Sequence, residues 1–282
     1  MIAKQGCDRS RFELTELAPS DQEGARDNVE SSAPRVVALL DHLQPGTPPF
    51  AIHFDRAQIR ARLRPSELKR ELLIRATGLL GNSAGMNQAA PVVWDTTAGL
   101  GVESLLMAAT GAVVVGFERE PLLAALLKNA LERYRTNQRP QLKLSFQTGE
   151  FAADRDRIQD WLTRFGVPDV VYFDPMFFTE AVNAKSLPKK GMQILRELTQ
   201  PETTQEFSIR LNASVRLFSQ LVSADKNIRF VVKQPFGSKD HQLSLFRLEE
   251  VADRSSGWKL RRFWVTGKLV EFEVLILEPE LL

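Results

Sequence analysis

Cysteine and histidine are scarce in this 282-residue chain, which has one Cys, at position 7, and three His. A lone cysteine excludes an internal disulfide and any thiolate-held metal cluster, and usage this low leads to the expectation of a reducing, cytoplasmic compartment. His42, His53 and His241 are far apart and lack the spacing of metal ligands, so no metal site is expected. No apolar run approaches the roughly 18 to 20 residues needed to span a bilayer. The opening M-I-A-K-Q-G-C-D-R-S lacks the apolar centre of a secretory signal. A membrane role is therefore not expected. Charge of one sign is missing too: 37 Lys and Arg face 35 Asp and Glu, so any electrostatic argument must rest on where charges cluster. Internal repeats and low-complexity tracts are absent.

What the chain does have is apolar content, 43%, enough to fill the core of one α/β domain with additions. Residues 1–34 are polar and rich in Asp, Glu, Arg and Ser, with a small apolar cluster at Phe12, Leu14 and Leu17, and read as a mobile tail. Residues 35–85 read as a basic N-terminal extension. Within it, Val36 to Leu43 suits a short helix or strand, Q-P-G-T-P-P forces an extended connector, and F-A-I-H-F suits a short strand. One helix is then expected to end at Pro65 and a second to begin at Ser66. Arg56, Arg60, Arg62, Arg64, Lys69, Arg70 and Arg75 make this the most basic segment, which fits either a solvated helix face or a phosphate-contacting arm.

From residue 86 to 282, apolar runs alternate with helical patterns, as in a parallel sheet covered on both faces. Strands are expected at Val92–Asp95, Ala112–Phe117, Leu142–Phe146, Asp169–Phe173 and Asn227–Lys233. The intervening helices are expected after Gly101, over Pro121–Tyr134, over Asp154–Phe165 and from Thr203 to Val222. W-K-L-R-R-F-W-V and L-V-E-F-E-V-L-I-L, around Thr266-Gly267-Lys268, predict a closing antiparallel hairpin. A parallel sheet closed by such a hairpin is similar to that of the Rossmann-like class I S-adenosylmethionine-dependent methyltransferases, and by that analogy the fold class expected is theirs: α/β, with a mostly parallel seven-stranded sheet.

The chain is organised around V-V-W-D-T-T-A-G-L-G, a strand that breaks into a glycine turn and opens a helix. Gly99 and Gly101 fall beyond the carboxyl end of that strand, where open α/β sheets bind ligands and where a missing Cβ allows close approach. Asp95, ending the strand, would repel a pyrophosphate but could accept from the ammonium of S-adenosylmethionine, directly or through water. Ser104 stands where a dinucleotide fingerprint needs its third glycine, which disfavours a nicotinamide site. Glu118 ends the next strand, seventeen positions after Gly101, at a spacing suited to ribose hydroxyls. Gly149 and Glu150 fall where an adenine edge would lie. In V-V-Y-F-D-P-M-F, Asp174 can hold the N–H of an exocyclic amine and take up its proton, Pro175 fixes the turn, and Phe177 can stack on a base. Lys233, in V-V-K-Q-P, could meet substrate phosphate or be a solvated strand-end lysine.

V-V-W-D-T-T-A-G-L-G, G-F-E-R-E-P-L-L-A-A-L-L, V-V-Y-F-D-P-M-F, the pair Lys189-Lys190 and V-V-K-Q-P resemble the bacterial RsmJ family, ribosomal small-subunit methyltransferase J, over about Phe50 to Lys233. The resemblance implies transfer of a methyl group from S-adenosylmethionine to the N2 amine of a guanine in small-subunit ribosomal RNA. It implies cofactor positions at Val102-Glu103, Glu118-Arg119, Gly149-Glu150 and Asp174, and substrate contacts at Lys189, Lys190 and Lys233. The family carries Arg-Asp where this chain has Val102-Glu103, and serines where it has Gly149-Glu150. Ribosomal RNA or the small subunit is the expected partner. The alternatives are the same chemistry on another RNA or DNA amine, and an inactive methyltransferase-fold protein that binds RNA.

Overall fold

The computed structural model describes residues 11–17, 34–43, 46–80, 89–137, 141–151, 154–175, 194, 197–199, 202–235, 244–251 and 257–280. The expected features at Met176, Phe177, Lys189, Lys190 and the loop after Leu80 lie outside them. The strands of the central sheet are β3 (Val92–Asp95), β4 (Val113–Glu118), β5 (Leu144–Thr148), β6 (Val170–Phe173), β7 (Ile228–Pro235), β8 (Trp258–Thr266) and β9 (Val270–Pro279). They line up in the order β5-β4-β3-β6-β7-β9-β8. The first five are parallel, whereas β9 is antiparallel to β7 and to β8, so the expected closing hairpin is present. Strand order reverses between β3 and β6, and the carboxyl ends of those two strands flank the crevice where such sheets take ligands.

Because β3, β4, β6 and β7 are interior strands, both their faces need cover, and nearly continuous apolar runs supply it. On one face, α4 (Val102–Ala109) and α5 (Pro121–Asn137) pack over Val93, Val114, Tyr172 and Val231. On the other, α6 (Arg155–Phe165) and α7 (Thr204–Leu221) pack over Trp94, Phe117, Phe173 and Phe230, and the short α8 (Leu248–Val251) adds Val251. The second layer is built on aromatic rings. Trp161 stacks on Phe117 with centroids 3.7 Å apart and meets Trp94 edge-on at 5.9 Å. Each such ring, fully buried, contributes roughly 1.5–3 kcal/mol from burial alone. Helix starts follow local chemistry: the Asp154 side chain accepts from Arg157 N, and Thr203 and Glu206 cap each other reciprocally.

The N-terminal part is more ordered than its polarity suggests. Within the stretch expected to be a tail, Phe12–Glu16 form β1, antiparallel to β2 (Val37–Asp41), and Phe12 is buried. The partner lies some 25 residues ahead, and Arg11 closes the pair by donating to both carboxylate oxygens of Asp41. F-A-I-H-F is not a full strand: Phe50 alone bridges to Leu39, while the Ile52 carbonyl accepts from Arg133 of α5, which takes a strand partner's place. The two expected helices are three, α1 (Ala57–Arg62), α2 (Pro65–Leu68) and α3 (Leu72–Thr77). Pro65 opens α2 at its first turn, where a missing N–H is harmless, rather than ending α1. Phe54, Leu63, Leu68, Leu73 and Ile74 join the same core cluster as Val93 and Leu105, so the extension is packed into the sheet domain.

Candidate active site

The bend after β3 is tied to the strands on both its sides. Gly99 N donates to Glu118 Oε2 at the end of β4 (2.9 Å), and Ala98 N donates to the Phe117 carbonyl (2.9 Å). Toward β6, Thr96 N and Oγ1 both donate to the Tyr172 carbonyl (2.9 and 2.8 Å), and Asp174 N donates to Thr97 Oγ1 at 2.6 Å. The glycine bend and the Asp174-Pro175 corner, 77 residues apart in sequence, are thus joined by a hydrogen bond at the switch point. Thr97 is the link, and nothing in the sequence reading singled it out.

The two glycines of the bend have different reasons to be glycine. Both have positive φ, 55° at Gly99 and 74° at Gly101. A Cβ on Gly101 would sit 2.6 Å from Leu127 and 3.0 Å from Phe146 and Phe54, all core side chains, so packing beneath α4 excludes a side chain there. Among the described residues, a Cβ on Gly99 would meet only the Thr97 carbonyl, at 3.8 Å. Of the two, only Gly99 fits the expectation of a backbone that a ligand can approach; Gly101 belongs to the core.

Asp95 is fully buried and turned into the protein. It accepts from Thr97 N (3.2 Å) and from Ser104 Oγ, so the residue at the missing third glycine anchors the carboxylate instead. Of the two routes expected to an ammonium group, direct or through water, the inward-turned carboxylate leaves no exposed surface for the direct one. Burial, only partly offset by those bonds, pushes its pKa up to about 7. Glu118 is nearly buried, and its pKa is raised by the same desolvation. Its two oxygens accept from Gly99 N and Glu120 N, leaving lone pairs for two further donors.

Asp174 is where the local charges converge. Its side chain is 30% exposed, and Lys233 Nζ of β7 donates to Oδ2 at 2.6 Å. Lys233 also lies 3.9 Å from Glu103, in the first turn of α4. The ammonium of Lys233 thus faces two carboxylates, an arrangement that neither expectation for it, substrate phosphate or a solvated strand end, included. Desolvation raises the Asp174 pKa to about 6, with Lys233 pulling it down and Glu103 pushing it up. Burial lowers the Lys233 pKa, but Asp174 and Glu103 outweigh it and the net shift is upward. The Tyr172 hydroxyl is buried nearby with no hydrogen-bond partner among the described residues.

The remaining expected positions have structural partners of their own. Val102 packs against the larger core cluster, and Arg119 pairs with Glu150 at 3.4 Å across the ends of β4 and β5. Glu150 is also 3.7 Å from Arg210 of α7, so it joins an ion-pair group rather than standing free at a ring edge. Gly149 N donates to the Glu118 carbonyl, and a Cβ there would meet Trp161 at 3.0 Å.

Comparison with known proteins agrees with this geometry. Residues 15–240 match the family described as "Putative SAM-dependent methyltransferase". The chain is 35% identical over 227 residues to "Ribosomal RNA small subunit methyltransferase J" of Alkalilimnicola ehrlichii, covering 80% of this chain and 74% of that one. It is 30% identical over 198 residues to the protein of the same name from Buchnera aphidicola subsp. Schizaphis graminum, covering 70% and 71%. This chain belongs to the ribosomal RNA small subunit methyltransferase J family. A crystal structure of a SAM-dependent methyltransferase from Neisseria gonorrhoeae superposes with a TM-score of 0.52 at 23% identity, over 85% of this chain and 78% of that one, and shows the shared fold.

Family membership makes S-adenosylmethionine the cofactor and the chain an enzyme. The residues at the switch point suit that cofactor in kind. A buried carboxylate with spare lone pairs ends β4, the backbone at Gly99 is unshielded, and the phosphate-binding glycine pattern is incomplete at Ser104. Among the described residues no His, Cys, Asp and Glu cluster could hold a metal ion, and no helix is long and apolar enough to cross a membrane.

Proposed function

We propose that this protein transfers a methyl group from S-adenosylmethionine to the exocyclic N2 amine of a guanine in small-subunit ribosomal RNA, in the cytoplasm. The observation that carries the reading is the bond from Asp174 N to Thr97 Oγ1, because it holds the acceptor carboxylate beside the unshielded bend. Gly99 and Glu118 are the residues assigned to hold the cofactor, with Glu118 accepting from its ribose. When bound, the cofactor supplies an electrophilic methyl group carried on a positively charged sulfur.

The protein's part is positioning and proton management. An amine on a purine ring is a poor nucleophile because its lone pair is delocalised into the ring, so the nitrogen must be held and turned. Lys233 occupies Asp174 Oδ2, which leaves Oδ1 to accept from the amine N–H and fixes the direction of approach. With a pKa near 6, the carboxylate is ionised at neutral pH and can take the proton that the nitrogen loses as its bond to carbon forms. The target base must be out of its stack to reach this corner.

Incubation with tritiated S-adenosylmethionine and small-subunit ribosomal RNA, protein-free or in assembled subunits, followed by digestion to nucleosides, tests the reading. Label is expected in N2-methylguanosine. Label in another nucleoside would move the substrate assignment, and RNA binding with neither label nor cofactor binding would favour a non-catalytic binder.

A further inference from the structure

We infer that the exposed cations of α1 and α2 form a rigid platform for the sugar-phosphate backbone of RNA, beside the Asp174 corner. The inference rests on the methyl-transfer reading for the identity of the polymer. Residues 56–75 carry seven basic and two acidic side chains, a net of +5 in a chain whose total is only +2. The charge this protein has to offer a polyanion is therefore gathered in one short segment.

Two observations separate this platform from an ordinary solvated helix. First, it is held rigidly from beneath. Leu63 and Leu68 are buried in the core cluster, and Arg62 makes a two-pronged pair with Glu71, Nε to Oε1 at 2.7 Å and Nη2 to Oε2 at 3.0 Å, which ties the last turn of α1 to the start of α3. Arg56, Arg60, Arg64, Lys69 and Arg75 are exposed and, among the described residues, in no ion pair; Arg70 meets only an exposed Glu67 at 3.5 Å. Helix α1 fully buries none of its residues: Ile59 rests against the core cluster, while Ala57, Gln58 and Arg60 are exposed.

Second, the platform adjoins the site. Phe54, two residues ahead of Arg56, lies directly against the glycine bend: its ring is 3.0 Å from where a Cβ on Gly101 would stand. A strand of RNA whose base enters the corner is thereby offered the cations around α1 for its phosphates. Arg56 and Arg60 are four apart and share a side of that helix, and Arg64 begins the next one. A base out of its stack loses duplex contacts, and backbone contacts on either side are the sequence-independent means of holding the strand in register.

The test is the triple variant R56A/R60A/R64A, whose side chains make no helix-capping bond and lie outside the proposed catalytic residues. Binding to fluorescently labelled, protein-free small-subunit ribosomal RNA is expected to weaken by about tenfold or more at low salt. The slope of log Kd against log salt should fall by about 2, at roughly 0.7 per lost contact on single strands. Affinity for S-adenosylmethionine and kcat at saturating RNA should match wild type, and the corresponding lysine triple should recover most of the binding. Unchanged Kd and slope in the alanine triple would overturn the platform while leaving methyl transfer intact. A wild type that binds RNA through these residues but methylates nothing would overturn the catalytic reading instead.

Discussion

Asp174→Ala should lower kcat for methyl transfer by about 10³-fold, the scale of losing a preorganised group aimed at the reacting atoms, with the cofactor Kd changing by less than about threefold. The disparity is expected because Asp174 reaches the bend through its backbone N–H, which alanine retains, whereas only the carboxylate faces the amine. Removing the carboxylate does not strand its partner in isolation, since Glu103 remains 3.9 Å from Lys233. Thermal melts should therefore show a folded protein. The pH profile supplies a second readout. A carboxyl group whose pKa lies near 6 is ionised above that pH and protonated below it, and only the ionised form can accept both the N–H bond and the proton. In the wild type kcat should fall as pH drops through about 6, and in Asp174→Ala the residual rate should lose that limb. Full activity in the variant, or a wild-type rate flat from pH 5 to 8, would remove Asp174 from the mechanism.

Gly101→Ala should destabilise the fold by about 2 to 4 kcal/mol in urea denaturation, combining a left-handed backbone conformation with overpacking of a tight core. The added methyl would overlap Leu127 at 2.6 Å and crowd Phe146 and Phe54, rings that come from β5 and from the N-terminal segment. Three separate parts of the chain would have to shift together to admit it. Gly99→Ala is the control: it has positive φ as well, but with nothing among the described residues nearer than 3.8 Å it should lose only about 1 to 2 kcal/mol from the backbone term. Equal losses at the two positions would mean that the packing account of Gly101 is mistaken.

The sheet was legible because its signals are local. Val92 to Asp95 is a short apolar run closed by a glycine turn, and the same alternation repeats through Phe173. Pairings between distant residues were not legible. β1 forms in a polar stretch because β2 offers an edge, and the alternation in F-E-L-T-E is too short, with only two apolar residues, to announce it. Lys233 reads in sequence as a strand-end cation; only the neighbouring placement of β6 and β7 puts it on Asp174, 59 residues away. Thr97 likewise looks like a generic turn residue until strand order gives it Asp174 as a partner, and Ser104 reads only as a missing glycine until the bend folds it back onto Asp95. The orientation of Asp95 was not legible either. Its position at the strand end was right, but whether a carboxylate there turns outward or inward depends on Ser104, nine residues further on in the first turn of α4.

The central claim is that the bend at Asp95 to Gly101 and the corner at Asp174 bound one cofactor crevice. Calorimetric titration of S-adenosylmethionine into wild type and Gly99→Ala, both shown by melting to be folded, tests it most directly. One molecule should bind per wild-type chain, and the methyl group added at the unshielded position should weaken binding by about tenfold or more. Equal affinity in the two proteins would place the cofactor elsewhere and contradict the account.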